Sequence, residues 1–259
     1  MFPYIMIFGQ SIGLFQIMLL CGIFSAGIYA CLSSTKFGFD YTNAIIFILL
    51  LSTGAIIGGY ILHTLINYRN VIFVLNNINT FESIPSILRY IFSGTIFYGG
   101  LLGGILTGHI LLRKYTAFEK YVDIVAVSIP LFHFFGRIGC FLGGCCFGIP
   151  CGFGFVFVNN PIAEANGIVR FPVQLLEAIF NLCLFILLNH LLKNGKYKNN
   201  ILYVYLTIYA IGRFFIEYLR GDAHRGIWFI FSTSQIISII ILLFISIKLL
   251  IYKYKKVAN

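Results

Sequence analysis

Charge is what this sequence has least of. Only 10% of its 259 residues are charged, and the eight acidic side chains are outnumbered by eighteen lysines and arginines. With 59% hydrophobic residues and a mean hydropathy of +0.94, the chain lacks the polar surface that a water-soluble globule of this length needs. That excludes a soluble protein and leaves one embedded in a lipid bilayer. No basic-aromatic module accompanies the net charge of +10, so a nucleic-acid partner is not expected. The lysines collect at the ends of apolar runs, where anionic lipid attracts them. No charged residue precedes Lys36, so the basic start of a cleaved signal peptide is missing and the N-terminal stretch is expected to remain as a first span. Internal repeats and paired broken helices are also missing, which argues against a transporter or channel.

Long apolar runs are abundant. Seven stretches of about 20 residues, long enough to cross the hydrocarbon core as helices, lie at 11–33, 42–65, 94–113, 121–139, 173–192, 201–220 and 228–251. The expected fold class is an all-α integral membrane protein with about seven transmembrane helices, forming a single polytopic membrane domain over 1–259. The ten lysines alternate onto one face of this arrangement, at Lys36, Lys114 and Lys120, Lys193 to Lys198, and Lys248 to Lys256. By the positive-inside tendency that face is cytoplasmic. The N-terminus is then outside and the C-terminus cytoplasmic. The outer face carries a 66–93 segment, expected to be a periplasmic interfacial arm or an ordinary loop, and a glycine- and cysteine-rich periplasmic segment at 137–172.

Seven of the eight arginines fall on the outer side, Arg113 being the exception. Lysine is a compact point charge, whereas the planar fork of arginine grips a phosphate through two hydrogen bonds. Arginines on the face that should be poor in positive charge point to a site for an anionic head group.

Four groups of residues can carry chemistry. The run from Phe97 to Gly104 contains Tyr98, Gly99, Gly100, Gly103 and Gly104; such glycines permit either a ligand to approach or two helices to pack closely. In the run from Gly136 to Gly148, glycines leave room around Arg137, which either binds a lipid phosphate or snorkels to the interface. The run from Arg170 to Glu177 enters the fifth span, with Gln174, Glu177 and Asn181 at spacings that share one helix face. A carboxylate that deep in a membrane helix is a site or one half of a buried ion pair. Tyr209, Arg213, Glu217 and Arg220 form the last group, a polar stripe along the sixth span. Arg213 lies about 18 Å from its inner end at 1.5 Å per residue.

In order and spacing, these residues resemble the bacterial prolipoprotein diacylglyceryl transferase family. The resemblance rests on Tyr98 to Gly103, Gly136 to Gly139, Arg170 to Glu177, Tyr209 to Arg220 and Ser232 to Ile239, and it covers nearly the whole chain. It implies a bacterial inner-membrane enzyme that moves the diacylglyceryl group of phosphatidylglycerol onto the lipobox cysteine of a prolipoprotein signal peptide and releases glycerol phosphate on the periplasmic side. No metal or organic cofactor is implied. Arg137 matches the arginine of the family signature, Gly148 its closing glycine, and Arg213 and Glu217 the polar pair of the sixth helix. The expected catalytic residues are Tyr98, Arg137, Arg213 and Glu217. Gly99, Gly100, Arg137, Gly139, Cys140, Gly148, Gln174, Glu177, Tyr209 and Arg220 are expected to contact substrate.

The chain also departs from the family. Tyr98 stands where a histidine is usual, Cys140 where asparagine is, Cys145 where glutamate is, Phe15 where tyrosine is and Ile57 where arginine is. The acceptor thiol must become a thiolate to attack. A tyrosine of pKa about 10 is a poor base for that near neutral pH, so Tyr98, Glu177 and Glu217 all stay open for the role.

The cysteines divide by environment. Cys21, Cys31 and Cys183 lie in apolar spans as small core residues. Cys140, Cys145, Cys146 and Cys151 form C-x4-C-C-x4-C, which is not the usual paired C-x2-C of structural zinc. A disulfide outside the cytoplasm is the first expectation for this set, with metal binding, an exchange-active thiol and free thiols as alternatives. Two other functions follow if the transferase reading fails: a divergent phospholipid-using transferase with a different acceptor, and a membrane thiol-disulfide enzyme built on this cluster.

Overall fold

A computed structural model describes residues 4–7, 10–69, 72, 97–158, 160, 162–222, 227–228 and 230–258. Seven long helices dominate: α1 (Leu14–Lys36), α2 (Tyr41–Ile66), α3 (Phe97–Lys114), α4 (Val122–Gly143), α5 (Val173–Lys193), α6 (Ile201–Ile216) and α7 (Thr233–Ala258). Six helical stretches are long and apolar enough to cross a membrane. The seventh expected span, 94–113, is α3, where five glycines, His109 and the terminal Arg113–Lys114 pair lower the hydropathy of its 18 residues. The protein is therefore a multi-pass, all-α membrane protein. Many large apolar side chains on these helices are exposed, among them Phe24, Leu32, Leu49, Leu102, Ile186 and Phe244. In a bilayer these surfaces face lipid at no hydrophobic cost. Most of the segment expected as an arm, 66–93, lies outside the described residues.

The chain divides into two compact units, residues 34–121 and residues 1–33 with 122–259. In the first, α2 packs along α3 through small residues. A Cβ at Gly99 would collide with the Gly58 carbonyl oxygen, and one at Gly103 with the Gly54 carbonyl oxygen, so these glycines bring the two backbones into contact. Phe47 and Phe118 stack at 4.9 Å, and Tyr121 Oη donates to the Asp40 carbonyl at 2.9 Å, closing the end of the pair.

In the second unit, α4, α5 and α6 enclose Ala126, Val127, Leu184, Leu188, Ile201 and Tyr205. Asp123, at the start of α4, accepts from the backbone N–H groups of Asn199 at 2.5 Å and Ile201 at 3.1 Å. It thereby satisfies donors that open α6 and would otherwise lack partners. At the other end of these helices lie short antiparallel strand pairs. A strand β1 (Tyr4–Ile7) pairs with β2 (Gln10–Gly13), β3 (Pro150–Val156) with β4 (Val169–Arg170), and β5 (Ile227–Trp228) with β6 (Phe231–Ser232). The stretch at 137–172, expected from sequence as one glycine- and cysteine-rich segment, is the last turns of α4 followed by a folded β3–β4 loop.

Candidate functional site

Three helices of the second unit each present a polar stripe at helical spacing. His133, Arg137 and Cys140 lie on α4, and Gln174, Glu177 and Asn181 on α5. Tyr209 and Arg213 lie on α6, with Glu217 just beyond it. Residues three and four apart share a face, so each helix delivers its polar groups to one side.

The stripes meet at Glu177. Arg137 Nε is ion-paired with Glu177 Oε2, and Arg213 Nη1 with Glu177 Oε1. The second Arg213 nitrogen reaches Glu217 Oε2 at 2.7 Å and Ser234 Oγ at 3.2 Å. The carboxylate side chains are almost completely enclosed, Glu177 at 4% and Glu217 at 1% exposure, whereas Arg137 retains 21%. Two guanidinium groups and two carboxylates balance in formal charge, which is what allows ionised groups to persist at this depth in a membrane protein. Arg137 is the most open member. Nothing lies within 4 Å of where a Cβ at Gly136 would stand.

Around this quartet, Asn181 Nδ2 donates to the Glu177 carbonyl at 2.8 Å and Gln174 Nε2 to the Cys145 carbonyl at 2.8 Å. Among the described residues, Gln174 Oε1 is buried with no hydrogen-bond partner and is available to a ligand's hydroxyl or to water, whereas the buried His133 and Asn181 side chains interact with each other. The His133 ring lies 5.5 Å from that of Tyr209, which stacks on Tyr205 at 5.6 Å.

After α4 the chain turns sharply. Gly144 and Cys146 both adopt left-handed backbone angles, with φ of 70° and 57°. The turn gathers the thiols of Cys140, Cys145 and Cys146, whose sulfur atoms all lie within 4.8 Å of one another. All seven cysteines are free thiols, so the disulfide expected in this segment is not formed. Cys151 lies apart, donating to the Phe153 carbonyl. Hydrogen bonds from Cys140 and Cys145, assisted by the charges of Arg220 and Arg137, hold the Cys146 thiol below the usual thiol range.

Two arginines behave differently from the sequence expectation. Arg220 is not part of a continuous helical stripe. α6 ends at Ile216, Glu217–Leu219 forms a 3-10 turn, and Arg220 is extended at φ −79° and ψ 134°. Its guanidinium grips Asp222 through two hydrogen bonds of 2.7 Å. Its backbone pairs with Gly148, where a side chain would strike the Phe171 carbonyl. Gly148 is therefore needed by the chain crossing itself. Arg170 also turns away from the quartet. It donates to the carbonyls of Gly148 at 3.2 Å and Glu164 at 2.6 Å, lies 4.2 Å over the Phe147 ring, and so clamps the β3–β4 loop. Gly139 is tightly approached by α1, since a Cβ there would stand 3.1 Å from Met18 and 3.2 Å from Phe15.

Gly99 and Gly100 belong to the other unit. The close-packing alternative is realised at Gly99, and Gly100 lies against the backbone of Ala55. The side chain of Tyr98 lies outside the described residues.

Two neighbours of the quartet were not anticipated. His133 stands one turn before Arg137 and was signalled only by that spacing. Ser234 belongs to a capping box: Ser232 N–H donates to Gln235 Oε1 at 2.9 Å and Gln235 N–H to Ser232 Oγ at 3.3 Å. A Ser-x-x-Gln run before an apolar stretch is a readable signature of this motif. It fixes the start of α7 and with it the hydroxyl that meets Arg213.

The family model of prolipoprotein diacylglyceryl transferase matches residues 3–252. A phosphatidylglycerol–prolipoprotein diacylglyceryl transferase of Clostridium tetani is 33% identical over 236 residues, covering 90% of each chain. A second, from Clostridium perfringens, is 32% identical over 241 residues, covering 92% of this chain and 90% of the relative. One from Clostridioides difficile is 28% identical over 222 residues. Matched along nearly its whole length, the chain belongs to the prolipoprotein diacylglyceryl transferase family.

Proposed function

We propose that the protein transfers the diacylglyceryl group of phosphatidylglycerol to the lipobox cysteine thiol of prolipoproteins, at the outer side of the bacterial plasma membrane. The observation that carries this reading is the convergence of Arg137 and Arg213 on one buried carboxylate. A phosphodiester is the ligand that two such guanidiniums suit, because each can offer it paired N–H donors. Family membership and the names of the relatives supply the substrate class.

The residues divide the work. Arg137, the more open cation, meets the phosphate entering from the lipid side. Arg213 is oriented by Glu217 and Ser234, so its charge is preorganised toward the same phosphate. As the acceptor sulfur attacks the glyceryl carbon, the carbon–oxygen bond to phosphate breaks and negative charge gathers on the leaving oxygen. Both guanidiniums stabilise that charge. The buried acceptor on Gln174 can receive a hydrogen bond from a head-group hydroxyl. Among side chains, Tyr98, Glu177, Glu217 and His133 are the candidates to take the thiol proton, the last lying on the Arg137 face of α4.

The test is an assay in membranes with labelled phosphatidylglycerol and a lipobox peptide. Replacing Arg137 or Arg213 by alanine should lower transfer about 10²–10³-fold, the usual cost of removing one preorganised charge-stabilising donor. Arg113→Ala, at the far end of α3, should leave transfer near the native rate. Robust transfer in both Arg137→Ala and Arg213→Ala would remove their assigned role.

A further inference from the structure

We infer that Cys140, Cys145 and Cys146 form a three-thiolate site for one thiophilic d10 cation, zinc being the probe, with a fourth coordination position left open. Their sulfur atoms already lie within 4.8 Å of one another. Three sulfurs bound tetrahedrally to zinc at about 2.3 Å stand about 3.8 Å apart, so closure around an ion requires shifts of about 1 Å or less, within reach of cysteine rotamers.

The turn holds the thiols in place. Cys140 closes the last turns of α4, Gly144 supplies one left-handed residue, and Cys146 accepts a second at φ 57°. A non-glycine residue in that conformation costs on the order of 1 kcal/mol or more and persists where its surroundings enforce it. Here the Cys145 carbonyl is held by buried Gln174, and the following Phe147 carbonyl accepts from Gly221 N–H at 2.9 Å.

The ligand set and the charge balance both favour a cation. Thiolates select zinc or monovalent copper over hard ions, and no fourth histidine, cysteine or carboxylate joins the three among the described residues. Structural zinc sites are closed by four protein ligands, whereas three ligands leave a position for an exogenous one. Three thiolates around a divalent ion carry one net negative charge, beside Arg137 one turn earlier on the same helix face.

Resting on the transferase reading, the open position receives the acceptor cysteine. The peptide thiol loses its proton to water as sulfur binds the ion. The sulfur then forms the carbon–sulfur bond while the carbon–oxygen bond breaks, and its electron pair leaves on glycerol phosphate. The ion keeps its oxidation state. With the ion bound, none of the side-chain bases named above is needed.

The test uses the full-length chain in detergent under reducing conditions, stripped with a chelator, reloaded with zinc and desalted. Elemental analysis should find about one zinc per chain. Cys140→Ser, Cys145→Ser and Cys146→Ser should each weaken retention at least about tenfold, while Cys151→Ser should retain it. Cobalt in place of zinc should give a sulfur-to-metal absorption band, which needs no variant and so is insensitive to misfolding. The site is overturned if the native chain retains no zinc, if the serine variants retain it equally, or if the metal-free chain shows no cobalt–sulfur band. A lipobox peptide should alter the cobalt spectrum and its Cys→Ser counterpart should not. An unchanged spectrum with bound cobalt would overturn the acceptor-binding role alone. Metal is counted without turnover, so these results separate from a failure of the transferase reading.

Discussion

Glu177 is where most of the electrostatics of the second unit is concentrated. It is a single carboxylate, 4% exposed, ion-paired with both Arg137 and Arg213. Removing one member of a buried ion pair leaves its partners desolvated and uncompensated, at about 3–5 kcal/mol. Glu177→Ala should therefore lower the thermal unfolding midpoint in detergent markedly. Glu177→Gln, which keeps one of the two acceptor oxygens, should lose less. Equal midpoints for Glu177→Ala and the native chain would show that the arginines find other partners. Spacing alone revealed that Glu177, Arg213 and Glu217 point inward. It could not reveal that Arg170 serves a loop, because its partners are carbonyls at Gly148 and Glu164, and carbonyls exist at every residue. His133 escaped notice because a lone histidine in an apolar run gives no sign of its neighbours.

Helix positions were largely legible, since apolar length is a strong signal. The expected 173–192 span is Val173–Lys193, and 11–33 is Leu14–Lys36. The end of α6 was not legible: Arg220 continues the four-four-three spacing, yet the backbone leaves the α conformation after Ile216, a change no glycine or proline announces. The glycines of α3 had two possible meanings until α2 was seen against them. Their packing makes a sharp prediction for the element pair. Gly99→Leu must push the Gly58 backbone away and should destabilise the α2–α3 unit, read as loss of monodisperse protein in detergent. Gly27→Leu, on α1 with nothing within 4 Å of its Cβ direction, should be tolerated.

Across the whole molecule, seven helices with lipid-facing apolar surfaces follow from composition, but sidedness rests on the lysine pattern. With α3 counted as a seventh span beside the six long apolar helices, the expected topology has the termini on opposite faces. A C-terminal fluorescent protein that matures only in the cytoplasm should therefore be bright, and an alkaline phosphatase fused at the same point inactive. The reverse result would invert the lysine assignment and move the proposed site to the other leaflet.

The shared carboxylate at Glu177 also bears on turnover. In the proposed reaction, a head group that approaches Arg137 and Arg213 enters a seat with a resident anion, so the phosphate must compete against an internal rival at fixed, very high effective concentration. This limits how tightly the lipid is held. It also means that once glycerol phosphate is cut loose from its acyl chains, the tethered rival reclaims the guanidiniums and helps to expel it.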